Sequence, residues 1–142
     1  MTRRSPPLSV SRRCVLATAV GGATALAGCN APFDTGNDGV RVDALAVENQ
    51  DDTAHEVSLR ITRADGSDAF EATTSVDGGH ETVYHEPVEG VAAYTVHGVL
   101  RQNRIDEALG TYATDEMRCI RPVFRITTDG ELKLTARKYD VC

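Results

Sequence analysis

Beyond residue 29, no apolar run of this 142-residue chain approaches the ~20 residues that a bilayer-spanning helix requires. Five prolines and 12 glycines are too few for a collagen-like or low-complexity chain. The sequence has no HExxH pair, no HxH pair, no CxxC, no Gly-x-Ser-x-Gly elbow and no EF-hand spacing. A basic excess is missing too. Four of the 15 Lys and Arg residues precede residue 29, so the remainder sets 11 bases against 21 acids, a net of −10. That charge argues against a nucleic-acid partner, which is met by a basic patch. What is present is an ordinary globular composition, 41% hydrophobic and 25% charged. It suits one domain with small additions.

The first 28 residues read as an export signal and stand outside the fold. Ser11-Arg12-Arg13-Cys14-Val15-Leu16 resembles the twin-arginine motif, with Arg12 and Arg13 followed by an apolar stretch. Arg3-Arg4 is a second pair, but Pro6 and Pro7 follow it instead. The segment closes on Leu26-Ala27-Gly28-Cys29, which resembles a lipobox. Small residues at Ala27 and Gly28 let the backbone lie extended in a signal peptidase groove, and the Cys29 sulfur supplies the thioether for a diacylglyceryl group. The competing reading is an uncleaved amphipathic helix. Two acyl chains satisfy the two-signal requirement for stable anchoring, at about 0.8 kcal/mol per buried CH₂. No cofactor other than that covalent lipid is expected. The transit partners are the twin-arginine translocase and the signal peptidase, and the expected location is the outer face of the cell membrane. Residues 29–39, rich in Gly, Asp and Asn, read as a flexible tether.

Lysine occurs only twice, as Lys133 and Lys138, while nine arginines follow Cys29. Carboxylates hold water and hydrated cations, and brine shortens the Debye length to ~3 Å or less, so like charges repel little. This bias resembles proteins of salt-loving archaea; an acidic protein of ordinary salinity is the alternative.

From residue 40 the dominant period is two, which predicts an all-β domain over 40–142. His55, Val57, Leu59 and Ile61 share one face and Glu56, Ser58, Arg60 and Thr62 the other. Strands are expected over 40–47, 53–61, 69–76, 81–85, 91–100, 119–127 and 131–139. Residues 105–113 are ambiguous: DEALG could start a helical turn, but Gly110, Thr111, Tyr112 and Thr114 favour strand. Asp65-Gly66, Asp77-Gly78-Gly79 and Asp129-Gly130 mark turns. Seven to eight strands at this spacing predict an antiparallel, immunoglobulin-like β-sandwich. In the last hairpin a two-residue turn would set Ile126 against Lys133. A three-residue loop, Thr128-Asp129-Gly130, instead sets Ile126 against Leu132 and Phe124 against Leu134. Gly130 then takes the left-handed bulge position.

Outside the membrane, Cys119 and Cys142 are expected to pair as a disulfide. The hairpin register puts Cys119 opposite Tyr139, so the bridge requires the strand to deviate, with Pro122 the natural bulge site. A metal-thiolate or redox pair would be the alternatives; both lack CxxC spacing and a nearby His.

The stretch Asn49-Gln50-Asp51-Asp52-Thr53-Ala54-His55-Glu56-Val57-Ser58-Leu59 is similar to a pattern of haloarchaeal secreted lipoproteins with an immunoglobulin-like sandwich. Gly90-Val91-Ala92-Ala93-Tyr94-Thr95-Val96 resembles the Gly-x-Tyr-x-Val strand of such domains, with a longer gap, and the closing Cys119…Asp129-Gly130…Cys142 fits the same family. The resemblance implies a corner-type hydrogen bond from Tyr94. It implies no catalytic residue.

Candidate sites are sparse. His55 reads as a rim residue bonded to a turn, His97 faces away from the Tyr94/Val96 side, and His80 and His85 flank short turns. A cation among His80, His85, Glu81 and Glu86 would require tertiary convergence, and Asp34…Asp38 and Asn49…Asp52 lack a calcium loop's spacing. A blue-copper site fails because no His or Met follows Cys119. Ser58, Ser67 and Ser75 sit on strands or a turn without a nucleophile elbow. The expectation is therefore a non-enzymatic binding or structural module of the cell envelope, its protein or small-molecule partner unnamed; the alternative is an accessory or solute-capture subunit of an exported or transport complex.

Overall fold

The structure is a computed structural model and describes residues 39–142. Ten strands form: β1 (Val40–Val42), β2 (Ala44–Asn49), β3 (His55–Arg63), β4 (Asp68–Val76), β5 (Glu81–His85), β6 (Val91–Ala92), β7 (Tyr94–Leu100), β8 (Asn103–Ala108), β9 (Cys119–Ile126) and β10 (Leu132–Tyr139). One 3₁₀ turn, Leu109–Tyr112, follows β8. This corrects the strand favoured over 105–113: β8 begins at Asn103 and stops at Ala108, and Leu109–Tyr112 form the helical turn that DEALG allowed.

The strands build a two-sheet sandwich. One sheet has the order β4-β3-β7-β8, all antiparallel. The other holds the remaining six strands. Here β10 flanks β9 along its whole length, so β1 and β2 lie end to end on β9's other side. Beyond them, β6 pairs with β1 and β5 with β2.

Two expectations are corrected. The strand count is ten because two expected strands break, residues 40–47 at Asp43 and residues 91–100 at Ala93. At Asp43 the register against β9 slips by one, from Val42↔Ile120 to Ala46↔Val123, so the chain carries one extra residue there. At Ala93 the chain leaves one sheet for the other. The sandwich is also not purely antiparallel, since β1 and β2 both run parallel to β9. Parallel neighbours need a long connection, and the other strands supply it.

The core lies between the sheets, with Leu45, Leu59, Ile61, Leu100, Leu109, Ile120, Phe124 and Ile126 among its fully buried side chains. Gly98 faces inward beneath Phe124; a Cβ built on it would stand 2.3 Å from Phe124 Cε1. Phe70 and Tyr84 close one flank edge to face, their centroids 5.1 Å apart.

The last hairpin has the expected register, Ile126↔Leu132 and Phe124↔Leu134. Thr127 N–H donates to Glu131 O at 2.8 Å and Gly130 sits at φ 72°. The disulfide is formed, Cys119 to Cys142, Cα atoms 5.4 Å apart. Its route differs from expectation. Pro122 pairs with Ala136 in an unbroken ladder and carries no bulge. It stands beside the break between β1 and β2, where a missing N–H is tolerated. The deviation falls instead after Tyr139, where β10 ends opposite Cys119 and residues 140–142 fold back toward it. Tyr94 OH donates to Glu89 O at 2.8 Å, the corner bond implied by the resemblance.

Candidate functional site

The outer face of the four-stranded sheet carries the best-organised polar cluster. Strand pairing aligns Glu71, Arg60, His97 and Asp106 in one row across β4, β3, β7 and β8. Period-two alternation puts Arg104 on the same face as Asp106, one step along β8. His97 Nδ1 meets Asp106 Oδ1 at 2.5 Å and His97 Nε2 meets Thr62 Oγ1 at 2.9 Å. Arg104 grips the same carboxylate, Nε to Oδ2 at 2.7 Å and Nη2 to Oδ1 at 3.1 Å. The Arg104 guanidinium first, then the His97 ring, hold the Asp106 carboxyl down at about 2. The same pair raises the Arg104 value. An ionised carboxylate only accepts, so His97 Nδ1 donates to Asp106 Oδ1, and Nε2 shares a hydrogen bond with the Thr62 hydroxyl.

Thr62, His97 and Asp106 thus form a hydrogen-bonded hydroxyl–imidazole–carboxylate chain. A shallow depression of about 220 Å³ opens beside it, lined by Ser58, Arg60, Glu71, His97, Val99 and Arg104. Thr62 is not part of that lining; it is buried at the β3 irregularity between Ile61 and Thr62. The cluster therefore shows the depression the His97 imidazole and the Arg104 guanidinium rather than the Thr62 hydroxyl. Arg60, Arg104 and Ser58 offer donors there, while Glu71 offers a carboxylate. Sequence reasoning placed His97 on the outer face but missed Thr62, Arg104 and Asp106. The alternation Arg104-x-Asp106 was the available signal; the Thr62 pairing joins residues 35 apart and has none.

The other histidines stay apart from this cluster. His55 is buried at the rim, its Nε2 2.6 Å from Asp51 Oδ2. That bond, then the backbone N–H of Asp52, lowers the Asp51 carboxyl to about 2. Asn49 is buried beside it and donates to Thr53 O at 2.7 Å and Val76 O at 2.9 Å, while its Oδ1 accepts Asp51 N–H at 3.0 Å. The Asn49 and Asp51 side chains thus spend their polar atoms on internal bonds. His80 Nδ1 contacts Gly78 O at 2.9 Å. His85 is exposed on β5, paired with Ala44. Among the described residues no group of three or more His, Cys, Asp or Glu could hold a metal ion.

The outer face of the six-stranded sheet is arginine-rich. Arg125 reaches Glu48 through Nε at 3.0 Å and Nη2 at 2.9 Å, and Arg137 reaches the same carboxylate at 3.1 Å. Glu48 lies next to Arg125, and Arg137 pairs with Arg121, so the Arg137–Glu48 bridge crosses β9 above Val123. Arg121 binds Asp43 at 2.8 Å and lies over the Tyr139 ring at 5.7 Å.

Arg12, Arg13, Leu26, Ala27, Gly28, Cys29 and the Asp34…Asp38 cluster lie outside the described residues. No protein-family model matches the chain, and no curated protein matches it. Among solved structures the chain is similar to the NMR structure of a protein from Eubacterium rectale, 13% identical, with a TM-score of 0.40 over 76% of this chain and 97% of that one.

Proposed function

We propose that this chain is a lipid-anchored, extracytoplasmic and non-enzymatic module of the cell envelope that binds a partner through the outer face of its four-stranded sheet and works in concentrated salt. The carrying observation is an order: Arg12-Arg13, then Leu26-Ala27-Gly28-Cys29, then a disulfide-closed sandwich beginning at Val40. A disulfide persists outside the reducing cytosol. Scarce lysine and a net charge of −10 after residue 28 support the saline setting. The Thr62 hydroxyl, buried outside the lining of the depression, supports binding rather than nucleophilic chemistry.

The depression itself favours a second reading, capture of a small solute by Arg60 and Arg104. Its open position on a flat sheet favours a larger partner. Cys29→Ser tests the anchoring. The wild-type protein is expected in the membrane pellet with a lipid mass on Cys29, and the variant in the soluble fraction. A variant that stays in the pellet removes the lipid anchor from the account.

A further inference from the structure

We infer that the outer face of the six-stranded sheet lies flat against the phosphates of lipid headgroups. This inference rests on the anchoring just proposed.

Three independent features point to this face. The first is charge. Arg41, Arg121, Arg125, Lys133 and Arg137 hold five of the 11 bases that follow residue 28, in a portion whose net charge is −10. Most acids around them are already engaged, Asp43 by Arg121, Glu48 by Arg125 and Arg137, Glu86 by Arg41 and Glu131 by Lys133, while Glu81 remains as an exposed acid opposite Glu48. Each arginine pairing leaves guanidinium donors to spare, since the fork carries five N–H groups. Arg41, Lys133 and Arg137 are half or more exposed. The opposite face sets only Arg60 and Arg104 against Glu56, Asp68, Glu71 and Asp106.

The second feature is where the chain arrives. Ten residues, 30–39, separate Cys29 from Val40, the first residue of β1, which belongs to this sheet. Fully extended, they span at most about 3.5 Å each. That reach lets the sheet lie down on the surface holding the lipid.

The third feature is apolar. Val91, Arg41, Cys119 and Tyr139 form the row at the arriving end. Val91 is 65% exposed, and Val141, next to the disulfide, is 77% exposed. Valine, tyrosine and arginine together suit the boundary between headgroup and acyl chain. In strong salt the attraction acts at contact, through bidentate guanidinium–phosphate bonds, and not through a long-range field.

Lys133 provides the readout. It stands on this face beside Arg125. Lys133 acetylation by an amine reagent is followed by mass spectrometry, on the full lipidated protein in its own membranes and after mild detergent extraction. The expected result is Lys133 reacting at least fivefold more slowly in membranes, while a Thr73→Cys thiol on the opposite sheet reacts with a maleimide equally fast in both. Membrane-bound protein with equal Lys133 rates overturns the docking and leaves the anchor standing. Protection that survives detergent overturns it in favour of a second copy of the chain. Protein absent from the membrane removes anchor and docking together.

Discussion

At the scale of single residues, three aspartates contribute to the acid response: Asp65, lowered by its bonds to Ser67, and, more strongly, Asp51 and Asp106. Asp51 and Asp106 are each lowered from 3.8 to about 2, by His55 and by Arg104 respectively. A carboxyl group whose folded value is depressed favours folding above its unfolded value, and that contribution disappears as pH falls through the folded value. Stability should therefore be level above pH 3.8 as far as these groups are concerned, and should fall between 3.8 and about 2. Denaturant midpoints across that window are expected to slope less in Asp51→Asn and Asp106→Asn than in the wild type. An unchanged slope would show that neither contact acts on folding. His55 was legible in the sequence as a rim residue because it shares a face with Val57 and Leu59 beside an acidic turn. The Asn49 side chain was not, because one of its acceptors, Val76 O, lies 27 residues away.

At the scale of elements, local pattern decided what could be read. The β9–β10 register followed from four apolar residues and one Asp-Gly turn, all within a dozen positions, and the structure has that register. The break at Asp43 was visible as a change of phase. Val40 and Val42 face the core at even positions, while Leu45 and Val47 face it at odd ones. Reading residues 40–47 as one strand overlooked that step. The parallel pairing of β1 and β2 with β9 joins residues 77 or 78 apart and leaves no trace in local alternation. The fit between sheets gives a prediction of its own. Gly98→Ala puts a methyl group into the Phe124 ring, and such overpacking costs about 1–3 kcal/mol. Adding Phe124→Leu is expected to recover part of the loss relative to the sum of the two single changes, as read by a double-mutant cycle in denaturant. Strict additivity would mean that the sheets yield elsewhere.

At the scale of the whole molecule, the disulfide fastens the C-terminus to the strand beside the one where the domain begins. It closes a loop of sequence separation 23, and in the chain-entropy model it stabilises by about 3 kcal/mol. Mass spectrometry of the unreduced protein should find Cys119 linked to Cys142, and reduction should lower the unfolding free energy by about that amount. Two free thiols in exported protein would remove the bridge from the account. The all-β class and the sandwich were legible because period two runs through nearly every segment; the division into sheets was not, because it depends on which strands meet across the chain.

The position of β1 has a mechanical consequence. It is an inner strand, bonded to β6 on one side and to β9 on the other. Ladder bonds lie across the strands rather than along them. A tug on Val40 directed along β1 would shear both ladders at once. An outermost strand pulled sideways would instead peel bond by bond. Moored there as proposed, the module would resist drag at the attachment itself, the point where a flow or a departing partner would pull hardest.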